Sequence, residues 1–354
     1  MSRSKLWISN LYAWTVAAVC GAGLVGCLPE LDEPALTATG EAPVGDPAAA
    51  ATASATGAPK ATTCTGVYFG NLPGGALFAG QAPCTINGSV EIATMSIAER
   101  QQLSGVKNIQ GTLYLSAPDQ IAQLPALTSV YVLTLNNYNA PILDFPTRVA
   151  VQHSIIVSGG QVGQIKGFGG IKTLAGILSL EGMDKLESID AFHALASVKT
   201  LSINNLPELK TLKSFEALTA ATSVSIGHCQ ALTTLPSFGK LPTVALLQLS
   251  YLNGLTTVAS FPALTTASSL QFSNLNGVTT VSFPALTSVN TFQVSSMAKL
   301  SDLEGFGPKL NVVSTVSVCD ILMEGTDREV WKQKHAPGMN FEKCSNGCFG
   351  WGTC

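Results

Sequence analysis

Pairs of apolar residues flanking a single polar residue recur along most of the chain at nearly constant intervals. Their first members, Leu178, Leu201, Val224, Leu247, Leu270, Phe292 and Val316, lie 23, 23, 23, 23, 22 and 24 residues apart. Ile155, Leu133, Leu113 and Val90 carry the series towards the N-terminus with looser spacing. Self-similarity at a fixed period of this length marks a solenoid, in which each repeat buries its apolar face against its neighbours. The pattern predicts about eleven turns of roughly 20–24 residues.

Within one turn the apolar slots are Leu201, Ile203, Leu206, Leu209, Leu212, Phe215, Leu218 and Ala221. The next turn fills them with Val224, Ile226, Cys229, Leu232, Leu235, Phe238, Leu241 and Val244. Leu201 and Ile203 alternate with polar neighbours as a strand does. The other slots recur about every third residue, too tight for a 3.6-residue helical period held over several turns. Short strands joined by bends satisfy both spacings. The expected fold is all-β, a parallel β-helix-like solenoid whose turns stack about 4.8 Å apart into a rod roughly 50 Å long. The phrase SFPALTT, at Ser260 to Thr266, returns as SFPALTS at Ser282 to Ser288. It reads as one corner of two adjacent turns. Phe145, Phe168, Phe192, Phe215, Phe238, Phe261, Phe283 and Phe306 then form a ladder inside the rod, which leaves them no binding role.

The outward position between the two strand residues reads Glu91, Tyr114, Thr134, Ile156, Ser179, Ser202, Ser225, Gln248, Gln271, Gln293 and Ser317. Beside it runs a corner column of Asn205, His228, Tyr251 and Asn274. From these strips Tyr114, Ser202, Ser225, Gln248, Gln271 and Gln293, with the four corner residues, are the candidates for ligand binding. A hydroxyl- and amide-rich strip suits hydrogen bonding to a glycan or an extended protein segment. Ser and Gln are equally what a solvated sheet face carries.

Composition narrows the function classes. Of 354 residues 12% are charged and 46% apolar, and no basic patch is available to neutralise phosphates, so a nucleic-acid partner is not expected. At the N-terminus Arg3 and Lys5 precede an apolar run from Leu6 to Val25 that reads as an export signal over residues 1–26. An uncleaved membrane anchor is the alternative, since about 20 apolar residues can span a bilayer. Removing Arg3 and Lys5 leaves 17 basic against 22 acidic side chains, a charge of −5. A G-x-G-x-x-G match at Gly21 to Gly26 falls inside this segment and follows no strand, so it carries no dinucleotide reading. Residues 27–63 are rich in Ala, Pro and Thr and have no aromatic residue. Such a stretch cannot bury enough apolar surface to fold and reads as a tether reaching roughly 100 Å.

Leu24-Val25-Gly26-Cys27 resembles the lipobox of bacterial lipoproteins, which implies a lipid on Cys27 and a membrane partner through it. Leu28 stands where an Asp would resemble an inner-membrane retention signal, so the outer membrane, facing the periplasm or the exterior, is the expected location. The solenoid itself has two possible relatives. Val198-x-x-Leu201-x-Ile203 fits the start of a leucine-rich repeat, but its Asn slot holds Leu206, Cys229, Leu252, Leu275 and Met297. The segments Cys84-Thr-Ile-Asn-Gly-Ser-Val-Glu-Ile92 and Ile109-Gln-Gly-Thr-Leu-Tyr-Leu115, with Cys64 upstream, resemble the receptor L domain more closely. That resemblance covers residues 64–323 and implies a right-handed solenoid with short caps. It does not carry a ligand across, because the receptors bind with partner domains that are not part of the resemblance.

Cys64 and Cys84 flank the N-terminal cap and are the preferred disulfide of an exported chain. Cys229 occupies a core slot and reads as a buried free thiol. Cys319, Cys344, Cys348 and Cys354 suffice for two bridges, with all three pairings open. Zinc held by His335, Cys344, Cys348 and Cys354 is the alternative, although the C-x₃-C spacing and the oxidising compartment favour disulfides; neither metal nor cofactor is expected. Residues 324–354 read as a C-terminal cap. There Thr326-x-x-Glu329 opens a short helix through Lys334, and Trp331 covers the end of the core.

No nucleophile or phosphate-loop motif occurs among the residues, and only His153, His193, His228 and His335 are available as histidines. Asp184, Glu187, Asp190 and Glu208 suggest a carboxylate pair for sugar cleavage. The nearly invariant turn length leaves no inserted loop to build a cleft around them. The expectation is a lipid-anchored, non-catalytic cell-envelope binding or adhesion protein with an extracellular or envelope protein or glycan as partner. The alternatives are a β-helix carbohydrate-active enzyme and a structural envelope component.

Overall fold

The computed structural model describes residues 64, 66–69, 83–301, 303–307, 309–322 and 325–338. Residues 1–63, which the sequence reads as an export signal, a lipidated Cys27 and a tether, together with Cys344, Cys348, Cys354 and the side chain of Thr326, lie outside the described residues. Among the described residues no helix is long and apolar enough to cross a membrane.

The period seen in the sequence is a spatial register. Each of the eleven apolar positions is the Cα partner of the next, from Val90 opposite Leu113 to Phe292 opposite Val316. Eleven rungs therefore enclose ten coils of a parallel β-solenoid. Among the described residues thirteen strands make one long sheet. Ile142–Phe145, Gln164–Gly167, Ser188–Ala191 and Thr211–Lys213 make a second, and Thr257–Val258 with Thr280–Val281 a third. Parallel neighbours need a crossover, and here the rest of the coil supplies it.

One coil shows why the residues take these places. Strand Ser197–Asn204 buries Val198, Leu201 and Ile203. The chain leaves the sheet at Asn205, whose φ is 55°. A tight turn follows, with the Leu209 amide donating to the Leu206 carbonyl at 3.1 Å. After the short strand Thr211–Lys213, which buries Leu212, a second turn is closed by the Leu218 amide on the Phe215 carbonyl at 3.0 Å. Two turns per coil explain the spacing of three between apolar slots.

The repeated phrase has a physical reading residue by residue. Phe261 stacks on Phe238 at 4.7 Å and on Phe283 at 5.8 Å. The amides of Leu264 and Leu286 close their turns on the Phe261 and Phe283 carbonyls. The hydroxyls of Thr265 and Thr287 donate to the Pro242 and Thr265 carbonyls of the preceding coil at 3.0 and 3.1 Å. Proline after the Phe holds it in extended backbone. Phe168, Phe192 and Phe215, which no proline follows, turn the same corner with φ of 57°, 59° and 71°, whereas Phe238 and Phe306 also lack the proline and do not adopt this backbone. All eight ladder rings are buried, and consecutive centroids lie 4.6–6.1 Å apart, within the range for offset stacking.

The two ends of the sheet carry different elements. Cys64 and Cys84 form a disulfide beside strand Val67–Phe69, which pairs with Thr85–Asn87. At the other end helix Gly325–His335 lays Trp331 against Phe292 with ring centroids 5.3 Å apart. His335 donates from Nδ1 to the Leu310 carbonyl at 2.7 Å. Lys334 bonds Glu304 at 2.7 Å and holds that carboxyl below its usual range. Cys319 is disulfide-bonded, with its partner outside the described residues. Cys229 is free and buried, its Sγ 3.2 Å from the Gly227 carbonyl, and burial pushes the thiol up to about 11.

Candidate binding face

The outward strip is continuous. Tyr114, Thr134, Ile156, Ser179, Ser202, Ser225, Gln248, Gln271 and Gln293 are successive Cα partners on the long sheet. Its exposure is uneven. Thr134 and Ser179 are buried, whereas Tyr114, Ser202, Ser225, Gln248, Gln271 and Gln293 are half-buried. Its polar groups also bond along the sheet: Asn204 Nδ2 donates to Ser202 at 2.9 Å, and Gln271 Nε2 to Ser269 at 3.1 Å.

Two adjacent strands of this sheet are also longer than their neighbours. Strands Ala150–Ser158 and Thr173–Glu181 carry nine residues where Ser129–Asn136 and Ser197–Asn204 carry eight. The extra residue makes a bulge, seen as register shifts before Ser154 and Ile177. Bulges bend a sheet and re-aim side chains. Ser154 Oγ accepts the Ile177 amide at 3.0 Å, and His153 lies against Tyr131 with centroids 4.9 Å apart.

Upstream on the later strands runs a groove of about 450 Å³, lined by residues that include Ala221, Thr222, Ala245, Ala267, Ser268 and Asn290. The repeat pattern does not reveal this groove. Its only sequence signal is a run of small residues at the same position of four consecutive coils, which also reads as ordinary strand packing.

The corner column has a stronger constraint. Asn137, Asn205, His228, Tyr251, Asn274, Ser296 and Asp320 have φ between 50° and 55°, and Gly159 and Gly182 have 64°. This left-handed backbone suits Gly and Asn, while other L-residues lose about 1–2 kcal/mol in it. His228 and Tyr251 stack with centroids 4.3 Å apart and an interplanar angle of 16°.

The acidic residues face solvent. Asp184 and Glu208 are exposed, and Glu187 pairs with Lys210 at 3.0 Å. Asp190 and Glu216 both hold His193, at Nε2 and Nδ1 respectively, each at 2.8 Å. The Glu216 bond and then the Asp190 bond raise the His193 pKa. This arrangement is a brace between coils at the surface. Among the described residues no group of three His, Cys, Asp or Glu is placed to hold a metal. No protein-family model matches the chain, and no curated protein matches it.

Proposed function

We propose that this protein is a lipid-anchored cell-envelope binding protein of the outer membrane, and that the long sheet holds an extended glycan or protein ligand without transforming it. The observation that carries the reading is the strip itself: hydroxyl and amide side chains repeat along the sheet beside a groove that spans four coils. A ligand lying along the rod meets a half-buried hydroxyl or amide at each coil from Ser202 to Gln293, so weak contacts of about 0.5–1.5 kcal/mol each add up. The likeness of Cys84 to Ile92 and Ile109 to Leu115 to receptor L domains supports a binding role.

Two experiments test the two halves. Replacing Cys27 with Ser is expected to abolish metabolic lipid labelling and to leave an unprocessed precursor; labelling that persists removes the anchor from the account. A Ser225→Arg, Gln248→Arg, Gln271→Arg variant is expected to keep its circular dichroism and Tm while ligand binding falls at least tenfold. Full binding by that folded variant moves the site off the face.

A further inference from the structure

We infer that the His228–Tyr251 pair is a stacking platform for a neutral polysaccharide, at the edge of the long sheet and separate from the face beside it. The first observation is a mismatch between backbone and side chain. The corner needs a positive φ in nine successive coils, and Asn or Gly fills it at Asn137, Gly159, Gly182, Asn205 and Asn274. Ser296 and Asp320 fill it with small polar side chains, whereas His228 and Tyr251, in adjacent coils with φ of 54° and 53°, place aromatic rings there. Phe168, Phe192 and Phe215 have similar backbone, but their rings are wholly buried in the core, and that burial offsets the strain. Tyr251 is 41% exposed, so burial within this chain does not account for it. Sequences break local preference of this kind mostly where function requires it.

The second observation concerns what the rings offer. Stacked face to face at 4.3 Å and 16°, the two rings cover one face of each other, so the surface left for a ligand is the outer face of the exposed Tyr251 ring, on the Asn274 side, with Asn205 in line beyond His228. A pyranose ring has one face of axial C–H bonds that packs on an aromatic surface, and equatorial hydroxyls that amides can bond. The third observation is charge. Between Glu216 and Lys299 the only formally charged residue is Lys240, whereas earlier coils carry an alternating column of Asp144, Lys166, Asp190 and Lys213. An anionic polymer finds almost no counter-charge on these coils, and a neutral one needs none.

The test is affinity electrophoresis of the full-length protein through gels containing dextran, laminarin or mannan, with alginate and polygalacturonate as charged controls. The wild type is expected to be retarded by at least one neutral polymer and by neither control. Tyr251→Asn restores the residue that the corner prefers. It is expected to weaken retardation about tenfold or more while its Tm stays level or rises, whereas Tyr251→Phe retains binding. A lower Tm in Tyr251→Asn with binding intact makes the pair structural and overturns the inference. So does binding confined to the charged polymers or to proteins. The Ser225→Arg, Gln248→Arg, Gln271→Arg variant separates this site from the face. Loss of binding there with full binding by Tyr251→Asn keeps the face reading and overturns this one. Loss in Tyr251→Asn alone supports the platform and moves the neutral polymer off the face. Loss in both supports a polymer that crosses from the face to the edge.

Discussion

Replacing Phe238 with Ala is expected to lower the unfolding free energy by about 3–5 kcal/mol, the range for large-to-small aromatic changes in a packed core. The ring is fully buried mid-ladder, 6.0 Å from Phe215 and 4.7 Å from Phe261. Its removal strips one stacking partner from each neighbour. The gap cannot close readily, because the backbone of each coil is pinned to the next by the parallel ladder on either side. Gln248→Ala, on the outer strip, is expected to change stability by under about 0.5 kcal/mol. Urea denaturation of both variants checks this, and equal losses would mean that the inside and outside of the coil are exchanged.

Trp331→Ala has a comparable expected effect, about 3–5 kcal/mol, but a different distribution. Trp331 is 1% exposed and touches Phe292 of the last complete coil and His335 of its own helix. A solenoid couples each repeat only to its neighbours, so loss of a cap weakens the end before the middle. Amide exchange in strand Asn311–Ile321 should accelerate strongly while strand Ser197–Asn204 remains protected. Uniform acceleration along the chain would show that the helix stabilises the rod as a single unit and does not serve as a cap.

The coil was legible in the sequence because the fold repeats one solution to one problem. Leu201, Val224, Leu247 and Leu270 must face the same interior at the same height, so their spacing in sequence becomes their register in space. The disulfide between Cys64 and Cys84 and the buried thiol of Cys229 followed from position relative to that register. Other features depend on backbone detail that periodicity does not carry. The bulges at His153 and Gly176 arise from one extra residue in each strand, and Ser179 is buried in a column that alternation places outside. The left-handed corner was visible only as a scatter of Asn and Gly. Sequence position put His228 and Tyr251 in a corner column of candidates, but that they stand in left-handed backbone is visible only in the φ values.

Binding without turnover is the claim on which the functional account stands. It is tested most directly by presenting the full-length protein to an array of envelope glycans and envelope proteins, and by assaying each glycan bound for new reducing ends or a change in size. The account predicts saturable binding to at least one ligand, recovered intact after prolonged incubation. Release of new chain ends, abolished by Glu187→Gln or Asp190→Asn, would contradict it and make the protein a carbohydrate-active enzyme.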